Sequence, residues 1–398
     1  MLLKIPYTRW VIGSYKFSGL LRLVYCLWLL VILGIGGCDQ VVNTHAENQP
    51  LILQADAQLV YERSINLSDD SGPVLGDPRT FAIANESFYI VDDLHKAVFE
   101  YDLEGQYIRT IGHRGKGEGE YLSPMEIGVG LDEQIYVYDG GTAKLNAYSQ
   151  AGRFVAQPFG NKKVMVGKFV VDMQGSVLQL ISVQDQTNEQ IVQLVKIAPG
   201  AESPEFSIDI AKGASSIMFI RYFGLCYSIL SRHIYYMSPW DYEITEVEID
   251  TGRQVRRFGL EPPGFRQLEF TSETDRLNMV EDITNVPLLR NMSLLGNDLL
   301  FVQFASNTSD QNSTGMMGDV SVIDRIEDMT RTFCMLYELT DLDQITVRKV
   351  KDPSNVLNYN VKIRSAGQSL YVYSPSYIPE SGVNGRIDVY SFDFNRSL

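Results

Sequence analysis

The chain of 398 residues contains four histidines, His45, His95, His113 and His233, the side chains best suited to metal binding or proton transfer near neutral pH. His95 follows Asp92-Asp93, His113 sits in a glycine-rich string, and His233 stands just before a strand-like run. No His-x-His or Cys-x-x-Cys spacing joins them, so no metal ligand is assigned. Asp92 and Asp139 end two equivalent apolar runs and form a tempting carboxylate pair. An aspartate in that position more often caps the next turn by accepting backbone N–H bonds, and this is the role expected here. Asp92-Asp93 and Asp341-Leu342-Asp343 lack the spacing of a calcium loop. No Gly-x-Ser-x-Gly elbow occurs, and the glycine-rich string has no Gly-Lys-Ser/Thr to make it a phosphate cradle. No catalytic or cofactor-binding residue is therefore assigned, and no cofactor is implied.

Tyrosine is abundant, at 22 residues. Arg-aromatic combinations cluster at Ile220-Arg221-Tyr222-Phe223 and at Trp240-Asp241-Tyr242. Aromatics alternating in strands pack a core, whereas loop aromatics such as Trp240 and Tyr242 can stack on a sugar or peptide. Packing is the favoured role. With 34 basic against 49 acidic residues the net charge is −15. Removal of the N-terminal Lys4, Arg9, Lys16 and Arg22 would take it to about −19. That balance argues against nucleic acid, which needs clustered Lys and Arg. Of four cysteines, Cys26 and Cys38 lie near the N-terminus, leaving Cys226 and Cys334, which form either one bridge or two separate buried thiols.

What positions these residues is a repeat. Phe88-Tyr89-Ile90-Val91-Asp92 recurs 47 residues later as Ile135-Tyr136-Val137-Tyr138-Asp139. Tyr101 recurs as Tyr148, Gly105 as Gly152 and Tyr107 as Phe154. A period in the forties, with β-branched and aromatic runs and one turn glycine per copy, is that of a propeller blade. Strands are expected at 81–84, 88–91, 97–101 and 107–111, then at 125–129, 135–138, 144–148 and 154–156. Each is expected to alternate in burial. Second strands of further blades are read at 177–180, 234–237, 299–302 and 370–373, making six. Asp250-Thr251-Gly252 before Gln254–Phe258 repeats the outer hairpin in blade four, and the polar stretch from Ser306 to Gly318 reads as a mobile insertion in blade five. After Tyr390 only eight residues remain, too few for a comfortable outer strand. The strand-like Leu59–Leu67 is expected to fill that place and lock the ring. The fold class is thus all-β, a six-bladed propeller of four-stranded antiparallel blades closed by an N-terminal strand. A two-sheet sandwich is the competitor, disfavoured by the repeat period.

Residues 1–22 carry only positive charge, Leu23–Ile35 is apolar or glycine, and Gly36-Gly37-Cys38 follows. A basic region, a short apolar region and small residues mark an export signal. The apolar span is shorter than the roughly 20 residues of a crossing helix. Ile35-Gly36-Gly37-Cys38 resembles the lipobox of bacterial lipoproteins, which implies lipidation of Cys38 and a membrane partner reached through that lipid. The expected organisation is a signal peptide over 1–37, a tether over 38–57 and a propeller over 58–398.

Ile111-Gly112-His113-Arg114-Gly115-Lys116-Gly117-Glu118-Gly119-Glu120-Tyr121 links the first two blades. It resembles the G-x-G-P-G-E-Y connector of the six-bladed, NHL-like propeller lipoproteins of Bacteroidota, with Glu118 where proline is usual and Pro124 following. The resemblance implies fold and compartment but carries no catalytic set. The three glycines at alternate positions are expected to adopt backbone angles closed to other residues. The function expected is a non-catalytic binding or protein-interaction module, lipid-anchored in the cell envelope and facing the periplasm. Its ligand would be a glycan, a peptide or an envelope protein at one end of the ring. The alternative is a metal-dependent propeller hydrolase or lyase with His95, His113 or His233 pointing into the channel.

Overall fold

The computed structural model describes residues 51–394 apart from 69–71, 131, 160–165, 202, 213–222, 240, 266–286, 308–329, 340–343, 353–355, 358–360 and 375–382. Cys38, His45, Arg221, Trp240, Asp341 and most of the blade-five insertion therefore lie outside the described residues.

The strands group into six antiparallel four-stranded units, the last two joined into one nine-stranded sheet where Ala57 and Gln58 pair parallel with Val350 and Lys351. Blade one is Pro78–Ala84, Ser87–Asp92, Ala97–Asp102 and Tyr107–Ile111, and blade two is Pro124–Val129, Ile135–Asp139, Lys144–Tyr148 and Phe154–Ala156. Blades three and four span Val166–Lys212 and Gly224–Phe258, and blade five spans Leu288–Lys351. Blade six supplies Lys362–Ala366, Ser369–Ser374 and Val383–Asp393 from the C-terminal end. Its outermost strand is Ala57–Ser68, which pairs antiparallel with Val383–Asp393 from Gln58↔Asp393 to Ser68↔Val383. The ring is closed by the N-terminal strand. The first strand of each blade packs on the first strand of the next, and blade six on blade one, so these six strands surround the axis. A further strand, Leu51–Leu53, falls within the span read as tether and pairs parallel with the outer strand of blade five, Leu51↔Ile345.

The 47-residue repeat is a repeat of packing. Tyr101 meets Tyr107 edge-on at 5.9 Å between ring centroids, and in the next blade Tyr148 meets Phe154 at the same 5.9 Å. Gly105 and Gly152 turn the outer hairpins at φ +86° and +74°, the left-handed region where a side chain is disfavoured. Alternating burial, expected of every strand, is confined to the outermost ones: Tyr107–Ile111 alternates, while Ser87–Asp92 is buried on both faces. Neighbouring blades cover both sides of the middle strands, so their sequences are continuous apolar runs. Cys226 and Cys334 are both free and buried, in separate core clusters.

The connector between blades one and two is a small loop in which His113–Arg114 pairs parallel with Glu120–Tyr121. Among its glycines Gly112 and Gly119 adopt positive φ, +68° and +71°, whereas Gly115 and Gly117 do not. The reason for those two is space. The Glu120 carboxylate folds back to accept the Gly117 N–H at 2.7 Å, and a Cβ on Gly115 would lie 1.9 Å from a Glu120 oxygen.

Candidate functional site

Asp92 and Asp139 do cap turns, and each does more. Asp92 is fully buried; one oxygen accepts the N–H of Gly76 at 2.6 Å and of Asp77 at 3.0 Å, and the other accepts that of His95 at 2.9 Å. Asp139 accepts the N–H groups of Leu122 at 3.1 Å, Ser123 at 2.5 Å and Thr142 at 2.9 Å. Each carboxylate thus ties its own hairpin to the chain entering that blade. With all acceptor directions filled, neither is a free base.

The histidines are separated. His95 Nδ1 lies 2.9 Å from Asp92, His113 Nε2 lies 3.1 Å from Glu120 on the connector, and His233 Nδ1 bonds Glu246 inside blade four. They are not brought together, and among the described residues no three His, Cys, Asp or Glu side chains form a group able to hold a metal. Tyr242 packs edge-on against Phe265, with ring centroids 5.0 Å apart.

Glu246 belongs to a polar layer that sequence reading missed. It is 1% exposed, accepts the Tyr235 hydroxyl at 3.1 Å, and is bonded by both His233 and the buried Arg256. Burial alone would raise its pKa; the His233 hydrogen bond and the Arg256 charge overcome this and hold it below the ordinary value. The same place between third and outermost strands holds Glu100 and Arg109 at 2.6 Å in blade one, Asn146 and Gln157 at 3.0 Å in blade two, and Gln193 and Asp209 at 2.7 Å in blade three. In blade six Ser64 donates to Asp388 at 2.5 Å. The layer specifies register within each blade rather than offering a site.

The axis offers one. A cavity of about 330 Å³ is lined by the first strands of all six blades. The pairings Ile83↔Phe88, Val129↔Ile135, Val171↔Val177, Tyr227↔Ile234, Leu294↔Leu300 and Ser365↔Leu370 align those strands. One residue before each aligned position stand Ala82, Gly128, Val170, Cys226, Ser293 and Arg364, five small or modest side chains and one long cation. Two residues further back stand Thr80, Glu126, Lys168, Gly224, Asn291 and Lys362, on the same face by the two-residue period of a strand.

The long cation fills the space that the small residues leave. Arg364 Nη2 reaches Glu126 of blade two at 2.9 Å and Thr80 of blade one at 2.5 Å. Lys168 of blade three holds the other Glu126 oxygen at 2.6 Å. Burial works to raise the Glu126 pKa, but the adjacent Lys168 and Arg364 charges outweigh it and hold the carboxyl below its ordinary range. The lysines shift the other way. Burial is the main cause for Lys168, with Arg364 adding to it against the opposing pull of Glu126. Lys362 is lowered by burial and then by the charges of Lys168, Arg364 and Arg79. Cys226, also on the cavity wall, has its thiol pushed up to about 12 by burial. Lys168, Arg290 and Arg364 thus line the cavity with one carboxylate, Glu126, and Lys362 stands beside it, in a protein whose net charge is −15.

None of Glu126, Lys168, Lys362 or Arg364 was legible as a site residue. The signal lies in aligning first strands, and only the second strands carry a run regular enough to be found by inspection.

Comparison with known proteins agrees with this architecture. The model of the DUF5128 family, described as a 6-bladed beta-propeller, matches residues 63–308. No curated protein matches the sequence. Among solved structures, a Bacteroides fragilis protein described as exported is similar at a TM-score of 0.53 and 12% identity, over 86% of this chain and 100% of that one. A member of the DUF4221 family from Bacteroides vulgatus has a TM-score of 0.54 and 8% identity, over 85% and 99% of the two chains. Virginiamycin B lyase from Staphylococcus aureus is similar at a TM-score of 0.43 and 9% identity, over 84% and 99%, a likeness too slight to bear on activity. The two Bacteroides structures speak to fold alone.

Proposed function

The chain belongs to the DUF5128 family of six-bladed β-propellers, and from that premise we propose that it is a non-catalytic binding or protein-interaction module held in the cell envelope by a lipid on Cys38. The anchoring half of this reading rests on Ile35-Gly36-Gly37-Cys38 following a basic and then an apolar stretch. It is in keeping with the exported Bacteroides fragilis protein of similar fold. The binding half is carried by one observation: His95, His113 and His233 each turn to a different carboxylate, and none lines the axial cavity. A metal-dependent hydrolase or lyase would need such side chains within about 2.0–2.2 Å of one ion. The cavity presents instead charged and polar side chains from blades two, three, five and six, an arrangement suited to holding a ligand.

Two measurements test the two halves separately. Cys38→Ala is expected to abolish incorporation of labelled palmitate and to move the protein from the membrane to the soluble envelope fraction. Unchanged membrane retention in that variant would remove the anchor. Glycan and peptide arrays, with cross-linking in intact cells, are expected to return a retained envelope partner or ligand. Turnover of a small substrate that survives exhaustive chelation and purification would refute the binding role.

A further inference from the structure

Resting on the reading of the propeller as a binding module, we propose that its axial cavity is a carboxylate site, in which Lys168, Lys362 and Arg364 receive the acid group of a small organic anion. The cavity already contains the template for that ligand. The two oxygens of Glu126 are held by different cations, Lys168 Nζ at 2.6 Å and Arg364 Nη2 at 2.9 Å, so the cations are spaced for a planar, two-oxygen anion. Glu126 neutralises only one of them. Lys362 stands beside the lined cavity, two residues before Arg364 on the first strand of blade six, and makes no ion pair with any described residue. The surplus positive charge is thus carried by blades three and six beside a single carboxylate of the wall.

Such an arrangement is unfavourable without a ligand. Burial and the neighbouring cations lower the pKa of both Lys168 and Lys362, which is the mark of a positive potential in a partly desolvated space. An entering carboxylate reverses both shifts and completes the hydrogen bonding of ammonium groups that have three donors each. The rest of the wall fits a hydroxylated acid better than an apolar one. Thr80, Asn291 and Ser293 stand in the same two layers as the cations. A volume of about 330 Å³ lies at the small end of the range for ligand pockets, which limits the ligand to the size of a sugar acid or a short dicarboxylate. A negative net charge of −15 over the whole chain repels anions at long range, so selectivity must come from this one enclosed spot.

The test uses the full-length protein at constant ionic strength and pH 7.5, with galacturonate, galactose, succinate and inorganic phosphate as probes in calorimetry and thermal melts. Galacturonate and succinate are expected to bind saturably and raise the melting temperature, and galactose, with the same ring but no acid, to do neither. Lys168→Met and Lys362→Met are expected to weaken carboxylate binding at least tenfold each. Lys362→Met is chosen because no described ion pair is broken, so its fold is retained. Absence of saturable carboxylate binding, an affinity unchanged from the parent in either variant, or tighter binding of phosphate than of either carboxylate would each overturn the assignment. A partner captured in cells with no carboxylate binding in vitro would overturn this site while leaving the broader binding role in place.

Discussion

Glu246 shows what keeping a carboxylate inside a blade requires. Its two oxygens are engaged by His233, Tyr235 and Arg256, and every one of those donors is itself part of the packed interior. Glu246→Ala leaves the Arg256 guanidinium buried without its carboxylate, and a loss of about 3–5 kcal/mol in urea unfolding is expected. The double variant Glu246→Leu, Arg256→Met is expected to recover most of that loss, because it removes both charges together. The pH dependence follows in sign. The folded pKa of Glu246 lies below the ordinary 4.5, so its stabilisation is present above 4.5 and is lost as pH falls through the folded value. Melting temperature against pH should therefore fall more gently below 4.5 in Glu246→Gln than in the parent. Lys362 behaves oppositely. Its folded pKa lies below the ordinary 10.5, so the fold disfavours its charged form and Lys362→Met is expected to melt at a higher temperature at pH 7. A gain in that variant, from a residue beside the cavity, is the pattern of a group that serves binding rather than stability.

The blade is the element that repeats, and its joints repeat with it. Asp92 and Asp139 each clamp a hairpin to the incoming chain through three backbone N–H groups. Asp139→Ala strands those donors at a partly buried joint and is expected to cost about 2–4 kcal/mol in chemical unfolding. Gly112 marks the exit from blade one at φ +68°, and a Cβ there would stand 2.3 Å from the ring of the buried Tyr121. Gly112→Ala combines strain with a clash and is expected to destabilise by about 2–4 kcal/mol, read as a drop in melting temperature. These joints explain what could be read in advance. Phe88–Asp92 and Ile135–Asp139 are legible because both faces of a middle strand are buried, so every position is constrained and the run recurs. Glu126, Lys168 and Arg364 were not, because they sit on first strands whose inward edge faces a cavity and is free to vary. Their meeting needs blades two, three and six to come round to a common axis, which no local pattern announces. The alternation expected of all strands failed for the same reason, since stacking blade on blade leaves few faces to solvent.

At the scale of the whole molecule the ring depends on one seam. Ala57–Ser68 completes blade six, and Arg364 of that blade reaches across blade one to Glu126 of blade two. Removal of residues 1–50 leaves the seam intact and is expected to yield a folded monomer, whereas removal of residues 1–69 strips the last blade of its outer strand and exposes the edge of Val383–Asp393. Size-exclusion chromatography should show the second truncation aggregating or unfolded. The seam also sets an order of events. Residues 57–68 leave the ribosome, and any export channel, more than three hundred residues ahead of the strand they must join. Through that interval the early segment has no mate, and both its edges are available to strangers. Synthesis can finish five blades in turn, but the wheel cannot shut until its tail arrives.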